Sequence, residues 1–237
     1  MVSGDVQLVV KAGPFGEGSG GHSHSDVLSL TARAGGREVL IDPGTYTYVA
    51  DPAERNGFRG SGAHNTVRID GRDQAVPGGP FRWNDKPAAS VRQWATGPDR
   101  DYLDATCGYA GFTHRRRIAF VKPAMMIVLD TISGPPGDHR LEQFWHLDSA
   151  EDAVRFSFSA PAEVVDVWRS RALCSREPAT ALCVMLQGPL PAQMAAWVDL
   201  SESPVCGTLE IRTDGEAILV GRAPWSAPLV RFPPEGI

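Results

Sequence analysis

The amino-acid sequence predicts an all-β protein: a multi-stranded antiparallel β-sandwich with little helix. Three observations carry that expectation. Apolar residues recur with a period of two rather than 3.6, glycine and proline are abundant (25 and 19 of 237 residues), and no segment keeps a helical period over a useful length. Leu28, Leu30, Ala32 and Ala34 alternate with Ser29, Thr31 and Arg33, Gly35-Gly36 turns the chain, and Arg37 to Ile41 returns, which is a hairpin pattern. Thr66 to Asp70, Ser90 to Ala95 and Asp101 to Tyr109 follow as strands. Arg117 to Val121 and Met125 to Leu129 flank Lys122-Pro123-Ala124 as a second hairpin. Glu142 to Leu147, Ala153 to Phe158, Glu163 to Trp168, Ala181 to Leu186, Thr208 to Arg212 and Ala217 to Val220 complete the series. Gly134-Pro135-Pro136-Gly137 reads as a turn, since strands of one character lie on both sides. Residues 1–237 are therefore expected to form one domain.

Composition removes several function classes. The formal charge of -5 argues against nucleic acid as the main partner. No apolar run approaches the roughly 20 residues of a membrane helix, so no membrane partner is expected. Met1 to Val10 lacks the features of a secretory signal, which is compatible with a cytoplasmic protein, a mature form or an excised domain. Cys107, Cys174, Cys183 and Cys206 match no zinc knuckle or redox pair, and three of them sit in alternating segments as expected buried thiols.

Gly16-Glu17-Gly18-Ser19-Gly20-Gly21 matches a dinucleotide fingerprint in letters only. That chemistry needs a helix after the glycines, whereas His22 to Ala34 alternates as a strand. The stronger signal is Gly21-His22-Ser23-His24-Ser25-Asp26. In an extended segment His22, His24 and Asp26 share one face. Asp42-Pro43-Gly44 and Ala63-His64-Asn65 follow, and three of the six histidines fall between residues 22 and 64. Two imidazoles and a carboxylate suit Zn²⁺ or a similar divalent ion, and as a set they favour a metal site over surface or core histidines. A plain hairpin at Gly35-Gly36 sets Asp42 opposite Ser29, so joining His24 requires a bulge or a glycine-rich entry that curls back.

These blocks, with Thr45-Tyr46, Phe58-Arg59, Thr66-Val67 and Asp70-Gly71, resemble the C-terminal β-sandwich of the heparinase II/III-like polysaccharide lyases over about residues 15–85. The resemblance implies a super-sandwich that closes a substrate cleft with an N-terminal (α/α) toroid, a partner domain this chain does not contain. It implies His22 as the catalytic histidine and His24, Asp42 and His64 as ligands of a structural metal, usually zinc. The implied activity is β-elimination at a uronic acid of a heparin/heparan-like or alginate-like polysaccharide, by a bacterial, periplasmic or secreted enzyme. Without the toroid, the isolated chain is expected to be weak or inactive. Tyr46, Arg59 and Asn65 are nearby candidates for binding the anionic sugar, each with a packing or turn role as its competitor.

Other residues read as structural. Arg115-Arg116-Arg117 is expected to be a solvated face with an ion pair, and His114 and His146 to pack beside apolar strands. Trp83, Trp94, Trp145 and Trp168 can stack on sugars but more often fill a core. Two rival functions are weighed against the lyase: a non-catalytic carbohydrate-binding or structural module that uses the cluster only to hold metal, and a cupin-type metalloenzyme. The cupin pattern needs a glutamate soon after the His-x-His pair. The first one here is Glu38, on the far arm of the hairpin.

Overall fold

Strand alternation in the sequence becomes alternation of burial between three stacked sheets in the computed structural model, which describes residues 1–233 except Cys206, Glu216 and Ser226. In chain order the elements are β1 (Val2–Ser3), β2 (Val6–Val10), β3 (Leu30–Ala34), β4 (Arg37–Leu40), α1 (Pro52–Arg59), β5 (Val67–Ile69), β6 (Val76–Gly79) and β7 (Arg82–Asp85). Then come β8 (Ala88–Thr96), β9 (Arg100–Tyr109), β10 (Phe112–Val121), β11 (Met125–Ser133), β12 (Asp138–Leu147) and β13 (Phe156–Phe158). The last are β14 (Ala162–Ala172), β15 (Ser175–Pro189), β16 (Ala192–Asp199), β17 (Leu209–Asp214), β18 (Ala217–Arg222) and β19 (Pro228–Phe232). Strand makes up 57% of the chain and helix 7%, so the all-β expectation holds.

One sheet runs β1-β2-β3-β4-β12-β15-β14, with β5 also paired to β12. A second runs β13-β16-β11-β10-β9-β8, a third β17-β18-β19, and β6-β7 form a separate ribbon. The first two face each other over a core that includes Leu8, Leu30, Leu103, Ile118, Phe120, Val128, Trp145 and Val184. The other face of the second sheet (Tyr102, Ala119, Ile127, Leu129 and Trp197) is covered by Leu209, Ile218, Val220, Val230 and Phe232 of the third. A strand buried on both faces has no need of polar alternation, which accounts for the run Met125-Met126-Ile127-Val128-Leu129 in β11.

Both expected hairpins form. Ala34 pairs Arg37 across Gly35 and Gly36, whose φ of 59° and 74° suit a tight two-residue turn, and Val121 pairs Met125. Gly134-Pro135-Pro136-Gly137 is the crossover that carries the chain from the second sheet to the first. Three expectations are corrected. Residues 21–29 are a loop, not a strand, because Leu28 sits at φ 65° and the backbone is pinned sideways: Ser25 N–H donates to Arg59 O at 2.8 Å. Residues 150–155 form a 3₁₀ turn, leaving only Phe156–Phe158 as strand. The helix α1 was missed because its eight residues are too short for a periodicity reading. Its markers are local: Asp51 accepts from Ala53 N–H at 2.8 Å and Glu54 N–H at 3.1 Å, and Pro52 opens the first turn.

The arginine run is corrected as well. Arg116 is fully buried between the two large sheets. Its Nε and Nη2 donate to the two oxygens of Asp130 at 2.8 and 2.7 Å, and Nη1 donates to Leu28 O at 2.7 Å and Asn65 O at 2.6 Å. Asp130 also accepts from Gln143 at 2.7 Å and pairs with His114 Nε2 at 2.8 Å. Arg117, one residue on and facing the other way, lies under the third sheet against the Phe232 ring, and Arg115 pairs with Asp104. His114 and His146 are buried as expected. So are Trp83 and Trp145, whereas Trp94 and Trp168 stay about half exposed. Cys107 and Cys183 are buried thiols, with burial pushing Cys107 up to about 12. Cys174 is exposed at the β14–β15 turn, and Cys206 lies outside the described residues.

Two outcomes are expected. Asp130→Ala strands the buried Arg116 guanidinium without its counter-charge and should cost about 3–5 kcal/mol, read as a lower urea midpoint at unchanged slope. Burial, against the pull of Asp130, holds the His114 pKa below its ordinary value. The unfolded chain therefore binds that proton first, and stability falls as pH drops below about 6.5. His114→Gln should flatten this dependence, by at most about 1.4 kcal/mol per pH unit, and parallel curves for the two proteins would contradict a neutral buried His114.

Candidate functional site

The loop 21–29, the Asp42-Pro43-Gly44 turn and the segment 61–66 converge at one edge of the first sheet. The curl expected of the glycine-rich entry is present: a Cβ on Gly21 would lie 2.7 Å from Phe81 O, and one on Gly16 2.6 Å from the Ser23 hydroxyl. The glycines thus serve close backbone approach rather than phosphate binding. A bulge also intervenes in the hairpin, where the register shifts between Ala32 and Arg33. Gly44, at φ 82°, abuts β14 so closely that a Cβ would meet Ser170 O at 2.2 Å. This fixes the turn that carries Asp42.

His64 is fully buried and its Nδ1 lies 2.8 Å from Asp42 Oδ2, while Asp42 Oδ1 accepts from Gly44 N–H at 2.9 Å. Burial opposes ionisation of Asp42, but the His64 charge, its hydrogen bond and the Gly44 N–H hold the carboxyl well below the usual carboxylate range. His64 responds in kind: burial works against its charge and Asp42 outweighs it, so its pKa is raised. His24 lies beside them with its ring 5.3 Å from that of His64. Arg55 Nη1 donates to His24 Nε2 at 3.3 Å, and burial with the neighbouring cations holds His24 at about 3, a neutral imidazole. Donor atoms of Asp26, Asp42 and His64 lie within 4.8 Å of one another. The other ring nitrogen of His64, Nε2, is buried without a hydrogen-bond partner among the described residues. Such an orphan base beside two carboxylates and a neutral imidazole is a donor set that fits a divalent cation.

His22 stands apart from this cluster, at the surface. Its ring meets Tyr48 at 5.8 Å and Phe81 at 5.9 Å, and those two stack on each other at 5.5 Å. The Arg55 guanidinium lies 4.9 Å from the Tyr48 ring and is otherwise buried, donating to Gly21 O and Pro80 O at 3.3 Å each. Arg55, Tyr48 and Phe81 are site neighbours that sequence reasoning did not single out. The spacing Arg55, Phe58, Arg59 after an Asp-Pro start is the signal that could have found the helix and the arginine it aims at His24.

The three expected sugar-binding residues fall elsewhere. Arg59 is buried under the β6–β7 ribbon, with its guanidinium taken up by Asn56 Oδ1 at 2.7 Å, Gly79 O at 2.8 Å and Pro80 O at 3.1 Å, and stacked 4.3 Å from Trp83. Asn65 is buried too, donating to Leu30 O at 2.7 Å and Ile41 O at 2.9 Å and accepting from His146 N–H at 2.5 Å. Both are braces, because each polar atom already serves a strand or ribbon end. Tyr46, at φ 60°, packs on Phe58 at 5.3 Å and carries Arg176 over its ring at 5.2 Å. It is half-buried and outside the His22 group. A cleft of about 470 Å³ opens on the far side of α1, lined among others by Phe58, Arg68, Phe144 and Trp168, and it holds none of the predicted site residues. Among the described residues no helix is long and apolar enough to cross a membrane.

Comparison with known proteins assigns the family. A search of curated proteins returned no match. Among solved structures, the heparinase III-BT4657 gene product is 18% identical with a TM-score of 0.72, aligned over 92% of this chain and 37% of its own. Heparan sulfate lyase HepC from Pedobacter heparinus is 18% identical with a TM-score of 0.73, over 97% and 39%. A further heparinase III is 12% identical at 0.74, over 96% and 39%. At these identities the likeness is one of fold, and the chain spans less than two fifths of the length of those proteins. The family model for the heparinase II/III-like C-terminal region matches residues 1–188. The chain therefore belongs to the heparinase II/III-like family and carries its C-terminal β-sandwich.

Proposed function

We propose that this chain is the sandwich portion of a polysaccharide lyase that cleaves a uronic-acid polymer by β-elimination, with His22 as the group it offers to the reacting sugar. The observation that carries this reading is the exposed His22 imidazole, edge-on to Tyr48 and two residues from His24, whose ring lies beside the hydrogen-bonded His64 and Asp42. One of the fold relatives is named a heparan sulfate lyase, which favours a heparan-like polymer as the first substrate to try.

The C5 proton of a uronic acid is weakly acidic until its carboxylate charge is neutralised. A base can then remove it while the O4 leaving group is protonated. An exposed imidazole, able both to accept and to donate a proton, suits the base or the neutralising partner. Tyr48 and Phe81 hold the ring upright and would give the sugar an apolar wall, and Arg55 sets a fixed positive charge against the Tyr48 ring. The remaining acid or base groups are assigned to the rest of the parent enzyme, consistent with the short span of this chain against its fold relatives.

His24, Asp42 and His64 would hold a zinc ion, whose double charge would tie loop 21–29, the Asp42 turn and the 61–66 segment together. His64 and Asp42 do part of this without an ion, through the hydrogen bond between them. The reading is thus a structural metal supporting a catalytic surface residue.

In the parent enzyme, His22→Ala should lower the ultraviolet absorbance of unsaturated uronate formed from heparan sulfate by at least about 100-fold, since general acid–base groups contribute roughly 10²–10⁴. The melting temperature should stay unchanged, because the side chain is exposed. Full turnover in that variant would remove His22 from the chemistry. Stripping zinc with a chelator should lower the melting temperature of this chain by on the order of 10 °C if the ion is held a thousandfold below its working concentration. A melting curve indifferent to chelator would remove the structural metal.

A further inference from the structure

We infer that Asp26 is a direct donor of the cation site and that Lys11 is the counter-ion it gives up when a divalent cation enters. The inference rests on the metal reading above and adds to it a fourth protein ligand and a built-in competitor.

Three observations lead there. The donor atoms that lie within 4.8 Å of one another belong to Asp26, Asp42 and His64. His24, by contrast, turns its Nε2 toward the Arg55 guanidinium. Second, the buried His64 keeps a ring nitrogen, Nε2, that has no hydrogen-bond partner among the described residues. Third, the Asp26 carboxylate is largely buried and ion-paired to the Lys11 ammonium, whose stem is about one-third exposed. A carboxylate that already holds a cation beside an orphan imidazole has the chemistry of a metal ligand with a stand-in.

The distances allow it. Ligands on a tetrahedral zinc, bound at about 2.0–2.2 Å, lie roughly 3.3 Å apart, so the three groups close on an ion through movements of about an ångström. Asp26 reaches that position because the loop around it is pinned on both sides: Leu28 N–H donates to Lys11 O at 2.7 Å and Val27 N–H to Gln74 Oε1 at 2.9 Å. The first of these bonds also brings Lys11 alongside. Its long flexible side chain can move its charge into water at small cost, whereas the Asp26 carboxylate stays with the loop.

The test is zinc titration of the full chain by competition with a chromophoric chelator, with the visible spectrum of the cobalt-substituted protein as a second readout. Asp26→Asn should weaken zinc binding at least tenfold and alter the cobalt spectrum. Lys11→Met should tighten zinc binding several-fold and leave that spectrum as it was. In the double variant the gain from Lys11→Met should vanish, because its target is gone. The opposite sign of the Lys11 effect protects the test from a variant that folds poorly. If the native chain takes up zinc and Asp26→Asn matches it in affinity and cobalt spectrum, Asp26 is no ligand. If Lys11→Met weakens binding, Lys11 is no competitor. A native chain that takes up neither metal overturns the metal reading and this inference together.

Discussion

The buried pair of Arg116 and Asp130 is the interaction on which the rest of the architecture turns. A guanidinium and a carboxylate withdrawn from water are costly unless every hydrogen-bonding atom is satisfied. Asp130 is met by Arg116, His114 and Gln143. The spare Nη1 of Arg116 reaches across the sandwich to the carbonyls of Leu28 and Asn65. Those carbonyls belong to the two segments that carry Asp26 and His64. One ion pair therefore joins the sheets to each other and fixes the loops of the site against them.

That arrangement explains why the site can be made of loops and still be well ordered. Leu28 adopts a left-handed backbone, unfavourable for a bulky side chain, and is held there from both ends by Lys11 O and Arg116. Asn65 imitates a strand, giving its amide protons to Leu30 O and Ile41 O and its oxygen to His146 N–H. The charge pattern follows the same logic. Partly buried His24 stays neutral, buried His64 leans on Asp42, and of the three only His22 is exposed.

The third sheet adds a different lesson. It lies beyond the residues matched by the family model, yet it closes the outer face of the second sheet with Phe232, Val220 and Leu209. Arg117 and Arg222 stack on Phe232 and Trp197 at that junction, so cations take the place of aliphatic packing along the seam. The layer leaves β10 and β11 covered on both faces.

The sequence by itself determined the strand-rich class, the hairpins at Gly35-Gly36 and Lys122-Pro123-Ala124, and the residues that make up the histidine and aspartate cluster. Pleat period and turn chemistry are local, written within ten or so neighbouring positions, and the ligand-type side chains stand out by residue type within one stretch of the chain, residues 22–64. The tertiary structure decided which polar residues are withdrawn from water. Nothing near Arg116 in the chain distinguishes it from Arg115, because its partners Leu28 and Asn65 arrive from 88 and 51 residues away. The same holds for Arg59 and Asn65, whose motif context resembles sugar binding while their hydrogen bonds hold a ribbon and three strand ends. Burial is a property of what packs against a residue, and in a sheet protein that neighbour is usually far off in sequence.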